Sequence, residues 1–233
     1  MARAWVIAQR WCDLLFAHWP APAAALRRVV PAELELDLWE GEGWVGVVPF
    51  RMEGIRPRRG FAVPILSATP EINVRTYVTR DGKPGVYFFS LDAGSALVVW
   101  GGRRIYGLPY YRARMESRNE GDAVRYASER RGGGAEFRGW YRPAGEAGAA
   151  RPGTLEHWLT ERYCLYTAAS RADILHEPWP LQPAEARIEV NTMARAAGIE
   201  LPDRAPLLHF ARRVDVKVWA PAPPEGRDRH ERR

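Results

Sequence analysis

Glu71, Asn73, Arg75 and Tyr77 alternate with Ile72, Val74, Thr76 and Val78, so an extended backbone puts the four polar side chains on one face and the apolar set on the other. Two arrangements satisfy that pattern. A sheet with one wet side turns the polar face to solvent. A barrel turns it into the lumen, where Arg75 can clamp a carboxylate bidentately and a buried Glu71, its pKa raised by desolvation, can move a proton. Asn73 and Tyr77 would add neutral hydrogen-bonding groups to the same small polar ligand. Alternation alone fits both arrangements.

The run Gly101-Gly102-Arg103-Arg104-Ile105-Tyr106-Gly107-Leu108-Pro109-Tyr110-Tyr111 brings two adjacent tyrosines out of a tight turn. Tyr110 can donate a hydrogen bond to an oxyanion, or pass a proton if a cation such as Arg75 lowers its pKa. Tyr110 and Tyr111 can equally be packing aromatics on alternating faces, one in and one out. Tyr106, Asp92 and His176 complete the candidate ligand contacts, although Asp92 precedes a helix that it could simply cap and His176 sits in an aromatic, proline-rich segment that suits a structural histidine. The candidate catalytic pair is Glu71 with Tyr110. The five histidines lack metal-ligand spacing, so no metal site and no cofactor are expected. No Gly-x-Ser-x-Gly, phosphate loop or dinucleotide fingerprint occurs, and Gly132-Gly133-Gly134 reads as a turn.

The elements that must position these residues are mostly short strands. Residues 13–19 read as extended, and 21–29 as a short helix bounded by Pro22 and Pro31. Residues 34–38 and 44–52 form a hairpin around Glu40-Gly41-Glu42-Gly43, and 71–79 with 86–91 a second across Asp81-Gly82-Lys83-Pro84. The segment 86–92 is apolar at nearly every position and so is buried on both sides, which makes its neighbour at 71–78 central too. Ser95 caps a helix over 95–104, followed by a meander of 113–117, 124–129 and 135–141. Thr154 opens a helix to about Arg162, Asn191 caps a short one ending at Gly198, and 163–169, 186–190 and 214–219 are further strands. The expected architecture is mainly β (α+β): an antiparallel, closed or nearly closed barrel with a few short peripheral helices, one domain over 1–220 and a disordered, Arg-rich tail over 221–233.

Gly102-Arg103-Arg104-Ile105-Tyr106-Gly107-Leu108-Pro109-Tyr110-Tyr111 resembles the Gly-Arg-Glu-x-Trp-Gly-Phe-Pro-Lys-Lys segment of the acetoacetate decarboxylase superfamily, and Glu71 lies upstream where that superfamily places its active-site acid. The resemblance implies a Schiff-base lysine at the first of the two lysine positions, its amine made nucleophilic by the second. Tyrosine stands at both. A closer likeness, to the YqjF-like family of unknown function in the same superfamily, spans residues 5–220. It rests on His18-Trp19-Pro20, Trp44-Val45-Gly46-Val47-Val48-Pro49-Phe50, Asn73-Val74-Arg75-Thr76-Tyr77-Val78, Tyr87-Phe88-Phe89-Ser90-Leu91-Asp92, Leu159-Thr160-Glu161-Arg162-Tyr163, His176-Glu177-Pro178-Trp179-Pro180-Leu181 and Asp215-Val216-Lys217-Val218-Trp219. It implies an acetoacetate-decarboxylase-like fold and brings no settled reaction.

Only Lys83, in a hairpin turn, and Lys217, on the last strand, could replace the missing amine, and a solvated lysine is a poor nucleophile, so imine chemistry is not expected. The formal charge of +6 comes from dispersed arginines mixed with 28 acids, which argues against nucleic acid as a partner. No apolar run is long enough for a membrane span. Cys12 and Cys164 without Cys-x-x-Cys spacing, and no secretory leader, point to a cytoplasmic protein with reduced thiols. The leading expectation is a small-molecule-binding protein whose polar, aromatic-lined cavity takes a small carboxylate or carbonyl compound. A lysine-independent lyase or isomerase using Glu71 and Tyr110, and a non-catalytic interaction module, are the alternatives. A homo-oligomer remains open.

Overall fold

In the computed structural model, residues 4–61 and 68–223 are described. The chain enters along β1 (Trp5–Ala21), turns through α1 (Ala23–Arg27), and continues in β2 (Glu35–Leu36), β3 (Gly43–Pro57), β4 (Ala68–Arg80) and β5 (Lys83–Ala93). Helix α2 (Ala96–Tyr106) leads to β6 (Tyr110–Glu120), β7 (Ala123–Arg130) and β8 (Glu136–Pro143). Helix α3 (Leu155–Thr160) precedes β9 (Cys164–Tyr166), β10 (Arg171–His176), β11 (Leu181–Asn191) and β12 (Leu207–Trp219).

Hydrogen bonding runs β5–β6–β7–β8–β11–β12–β1–β3–β4 and returns to β5, closing a barrel of nine strands. β9 and β10 make a second, shorter bridge from β5 to β12. The barrel is mixed where uniformly antiparallel pairing was expected. β5 pairs in parallel with β6 (Leu91 with Tyr110) and with β9 (Val86 with Leu165). The reason is local: α2 carries the chain back over the sheet between β5 and β6, and a strand–helix–strand unit returns parallel. The hairpin expected between 34–38 and 44–52 also differs. The turn exists, with Trp39 bridged to Glu42 and both Glu40 and Gly41 at positive φ. Its arms diverge, however, because β3 already has β1 on one edge and β4 on the other, and β2 pairs with the far end of β4 instead.

Residues 71–78 of β4 are buried on both faces. Ile72 and Val74 join Leu15, Val47, Tyr126, Phe137 and Phe210 in one hydrophobic cluster, while the opposite side of the sheet faces a second cluster containing Phe16, Phe50, Phe88, Leu91 and Trp179. Neither face of the alternating strand is wet. The polar set Glu71, Asn73 and Arg75 is therefore surrounded by core, at a cost that ordinary packing does not repay.

Helix boundaries follow their caps. The Ser95 hydroxyl accepts from the Val98 N–H at 3.4 Å and Gly107, at φ 65, ends α2. The Thr154 hydroxyl accepts from the His157 N–H at 3.4 Å. Asn191 does not cap as expected: its side chain accepts from the Met193 N–H at 3.3 Å, but the short 3-10 turn over Arg195–Ala197 starts from Ala194 without a side-chain cap and ends at Gly198. The tail expected over 221–233 lies outside the described residues from position 224 onward; before that, Ala222 and Arg171 exchange two backbone hydrogen bonds of 2.8 and 2.9 Å. No helix among the described residues is long and apolar enough to cross a membrane.

Candidate functional site

A cavity of about 300 Å³ opens between β4 and α2. Glu71, Asn73 and Arg75 line it from β4, Val48, Phe50 and Met52 from β3, and Ile7, Gln9 and Trp11 from β1. Phe88, Leu91, Leu165, Ile174, Trp179 and Val218 add apolar wall, and Leu97, Val98, Trp100, Gly101, Gly102, Ile105 and Tyr106 descend from α2. The walls are thus largely apolar with a few convergent polar groups, the composition of a small-molecule site.

Tyr110 enters this cavity because Gly102 lets it. A Cβ at Gly102 would collide with the Tyr110 ring, so the bare helix surface is what allows the ring to pass. Behind it, the Arg103 Nε–H donates to the Tyr110 carbonyl at 2.5 Å and the Leu91 N–H donates to the Pro109 carbonyl at 3.0 Å, fixing the turn. The Tyr110 hydroxyl then donates to the Glu71 Oε2 at 2.8 Å.

Glu71 is 3% exposed, and burial raises its pKa to about 8; the Tyr110 hydrogen bond opposes that rise and the Asp92 charge adds to it. Its carboxyl is consequently mostly neutral at pH 7. The expectation that Arg75 lowers the Tyr110 pKa is corrected: burial first, then the Glu71 charge and hydrogen bond, push it well above 10, so Tyr110 holds its proton and acts as a donor. Tyr126 donates to the Glu71 carbonyl at 2.7 Å and anchors the backbone there.

Arg75 is buried with no carboxylate partner among the described residues. Its Nη2 reaches the Leu159 carbonyl at 3.4 Å, and its guanidinium lies 5.4 Å from the Phe16 ring centroid and 5.9 Å from that of Tyr77. The Tyr77 hydroxyl meets His18 Nε2 at 2.6 Å. Burial and the Arg75 charge hold the His18 pKa well below 6.5, so that ring is neutral. Four buried polar atoms on the cavity wall have no hydrogen-bond partner among the described residues: Trp11 Nε1, Asn73 Oδ1, Arg75 Nε and the Tyr106 hydroxyl. Buried polar groups are rarely left so; further atoms elsewhere among the described residues share the condition, Trp44 Nε1, Ser90 Oγ and Ser128 Oγ among them.

Of the residues singled out in the sequence, the cavity gathers Glu71, Asn73, Arg75, Tyr106 and Tyr110. Four others lie elsewhere. Tyr77 sits behind Arg75, packed against Trp158 at 4.6 Å and directed to His18, because β4 passes under α3 at that point. Asp92 points through the sheet to a bidentate pair with Arg130 at 2.7 and 2.8 Å, since its neighbour Leu91 takes the cavity-facing position. Tyr111 faces outward by the same alternation, with the Arg130 guanidinium 3.8 Å from its ring centroid. His176 backs the wall rather than lining it: it packs between Tyr163 and Trp179, each at 4.7 Å, with its Nδ1 at 2.7 Å from the Glu177 carbonyl. Lys83 pairs with Asp173 at 2.5 Å, and Lys217 is exposed between inward-facing Val216 and Val218.

Gln9, Trp11, Trp100 and Trp179 are lining residues that the sequence reading missed. The signal for the first two was there, as Ile7, Gln9 and Trp11 alternate along β1.

Residues 8–215 match the model of the family DUF2071, described as an uncharacterized conserved protein. The uncharacterized protein YqjF of Bacillus subtilis (strain 168) is 47% identical over 220 residues, which cover 92% of this chain and 91% of that one. Among solved structures, an acetoacetate decarboxylase-like enzyme from Sphingomonas wittichii RW1 superposes with a TM-score of 0.66 at 14% identity, covering 95% of this chain and 94% of its own. The enduracididine biosynthesis enzyme MppR, complexed with the condensation product of pyruvate and imidazole 4-carboxaldehyde, gives 0.68 at 11% identity, covering 96% and 90%. Acetoacetate decarboxylase from Legionella pneumophila gives 0.63 at 15%, covering 95% and 89%. At these identities the structural likenesses establish the fold.

Proposed function

Since the chain belongs to the DUF2071 (YqjF-like) family and has an acetoacetate decarboxylase-like barrel, we propose that it binds a small carboxylate, with a carbonyl beside the carboxyl group, in the cavity over β4. The observation that carries this is Arg75: a buried guanidinium, unable to discharge, without a carboxylate partner among the described residues. A ligand carboxylate supplies the missing charge. The Tyr106 hydroxyl and Trp11 indole N–H would donate to a neighbouring carbonyl oxygen, and Asn73 Oδ1 would accept from a ligand hydroxyl. The 300 Å³ volume suits a ligand of metabolite size. MppR, of the same fold, holds a condensation product of pyruvate, which is consistent with this ligand class.

A thermal-shift series of pyruvate, 3-oxobutanoate and other small keto acids tests the reading. A ligand at a hundred times its Kd adds about 2.7 kcal/mol to stability, an easily read rise in Tm. Arg75→Gln should abolish the rise. No shift from any carboxylate would remove the proposal.

A second reading adds proton transfer, and the pKa of Glu71 near 8 favours it, because such a carboxyl exchanges protons efficiently near neutral pH. Glu71 would take a proton from the carbon beside the ligand carbonyl while Tyr110 steadies its other oxygen. Deuterium incorporation into pyruvate at that carbon should rise with pH through about 8 and vanish in Glu71→Gln. Imine catalysis finds no support, since both lysines lie away from the cavity. Borohydride with a 3-oxo acid should leave the protein unmodified.

A further inference from the structure

Arg103 and Arg104 belong to the segment that delivers Tyr110, yet neither lines the cavity. They help to line a groove of about 510 Å³ on the other side of α2, with Arg112 at the start of β6, Arg131 just after β7, and Val99 and Trp100 from the helix. None of the four arginines has an ion-pair partner among the described residues. Lack of a pair is not what sets them apart. Arg28, Arg114 and Arg187 also have none among the described residues, while Arg142 pairs with Glu185 at 2.8 Å and Arg10 with Asp215 at 3.0 Å. Their gathering in one groove is what does. Arg103 and Arg104 alone could be explained as cations in the last turn of α2, where they complement the helix dipole. That account does not reach Arg112 and Arg131, which come from different strands and still converge on the same hollow.

The groove is also built. The Arg103 Nε is held by the Tyr110 carbonyl at 2.5 Å, which leaves its outer nitrogens free, and its guanidinium lies 5.7 Å from the Tyr111 ring centroid. The Arg131 N–H donates to the Arg112 carbonyl at 2.8 Å, tying the two strand ends together. Arg112 Nη1 is shut off from solvent and has no partner. Arg130, the neighbouring cation, is already neutralised by Asp92. Four like charges brought together repel one another, and that cost is recovered when an anion of matching charge enters. A single carboxylate would balance one of them. A diphosphate carries enough charge and enough oxygens for several guanidinium forks. Trp100, 59% exposed, lines both the cavity and this groove and offers a flat ring at the groove's rim.

We propose that this groove is a second binding site, for a ligand bearing a diphosphate group, distinct from the carboxylate cavity on the other face of α2. Titration calorimetry with inorganic pyrophosphate and with ADP tests it. One ligand per chain should bind, more weakly at higher salt, and Arg112→Gln should reduce affinity about tenfold or more. Arg104→Gln, at an exposed position, should weaken binding in the same direction and serves if Arg112→Gln fails to fold. Arg75→Gln, in the cavity, should leave binding intact, so loss of the cavity reading and loss of this one are separable. ADP binding more tightly than pyrophosphate, with the difference lost in Trp100→Ala, identifies a nucleotide-type ligand; equal affinities identify a site that reads phosphate alone. The proposal is overturned if neither compound binds, if Arg118→Gln with Arg125→Gln on the outer face weakens binding as much as the groove variants, or if a single-stranded oligonucleotide binds more tightly than ADP.

Discussion

Glu71 and Arg75 stand on one face of one strand, and burial acts on them differently. A carboxyl can shed its charge by holding a proton, and Glu71 does so, with a pKa of about 8. A guanidinium cannot, so Arg75 keeps its charge and the cavity a positive end. Arg75→Met should therefore abolish carboxylate binding while leaving the ligand-free Tm equal to or above the parent's, because a buried charge without a counter-ion is replaced by an apolar chain of similar length. A large drop in the ligand-free Tm would mean that Arg75 is structural. Alternation had already brought Glu71, Asn73 and Arg75 to one face, and the Gly-Leu-Pro-Tyr-Tyr turn had singled out Tyr110. Tyr77 and Asp92 could not be placed that way. A strand's parity says which face a side chain takes, but not how far along the strand the cavity extends or which side of the sheet holds it. Trp179 comes from a segment without periodicity, and only the closed barrel brings it to the wall.

At the scale of elements, most caps and turns were legible because they are local chemistry: Ser95, Thr154 and Gly198 sit where their side chains or backbone freedom are used, whereas Asn191 ends β11 and the short turn after it starts from Ala194. Pairing partners were not, because they depend on which edges remain free once the barrel closes. β1 was read as starting at residue 13, yet it starts at Trp5 and is interrupted at Asp13, a non-glycine residue at φ 54 where its register with β3 shifts. The buried Asp13 carboxylate accepts from Arg51 at 2.6 Å and from Arg212 at 2.8 Å, joining β1, β3 and β12. Asp13→Ala removes both ion pairs, although Arg51 keeps Glu53 at 2.7 Å and Arg212 is partly exposed. It also loses the local polar side chain that tolerates this backbone, so urea denaturation should show a loss of about 1–3 kcal/mol. A loss below ~1 kcal/mol would show the hub to be dispensable. Helix α2 offers a second test. Gly102→Ala places a methyl group where the Tyr110 ring lies, with an overpacking cost of about 1–3 kcal/mol. It should also part Tyr110 from Glu71 and, by removing the hydrogen bond that opposes the rise, move the Glu71 pKa further up. A carboxyl titration by NMR unchanged from the parent would show that the ring has stayed in place.

The described residues pack into three hydrophobic clusters, the two largest meeting across a shared wall, and the ionisable groups trapped there give stability a defined pH dependence. Below pH 4.5 Glu71 is protonated whether the chain is folded or not, and it contributes no slope. Between 4.5 and about 8 the unfolded chain releases that proton and the folded chain keeps it, so stability falls by up to about 1.4 kcal/mol per pH unit. The histidines act in the opposite sense. Burial lowers the pKa values of His18, His176 and His209 below 6.5, so as pH drops through that value the unfolded chain takes up protons that the folded chain refuses, and stability falls toward acid. Three histidines outweigh one carboxyl below 6.5, and above it the carboxyl acts without them. Urea midpoints measured between pH 5 and 8.5 should accordingly peak near 6.5 and decline on both sides. In Glu71→Gln the alkaline decline should disappear and the acid decline should remain, since glutamine keeps an acceptor for the Tyr110 hydroxyl but has no proton to lose. A decline toward pH 8 that persists in Glu71→Gln would place its origin in another group and remove the raised carboxyl from the account of the cavity.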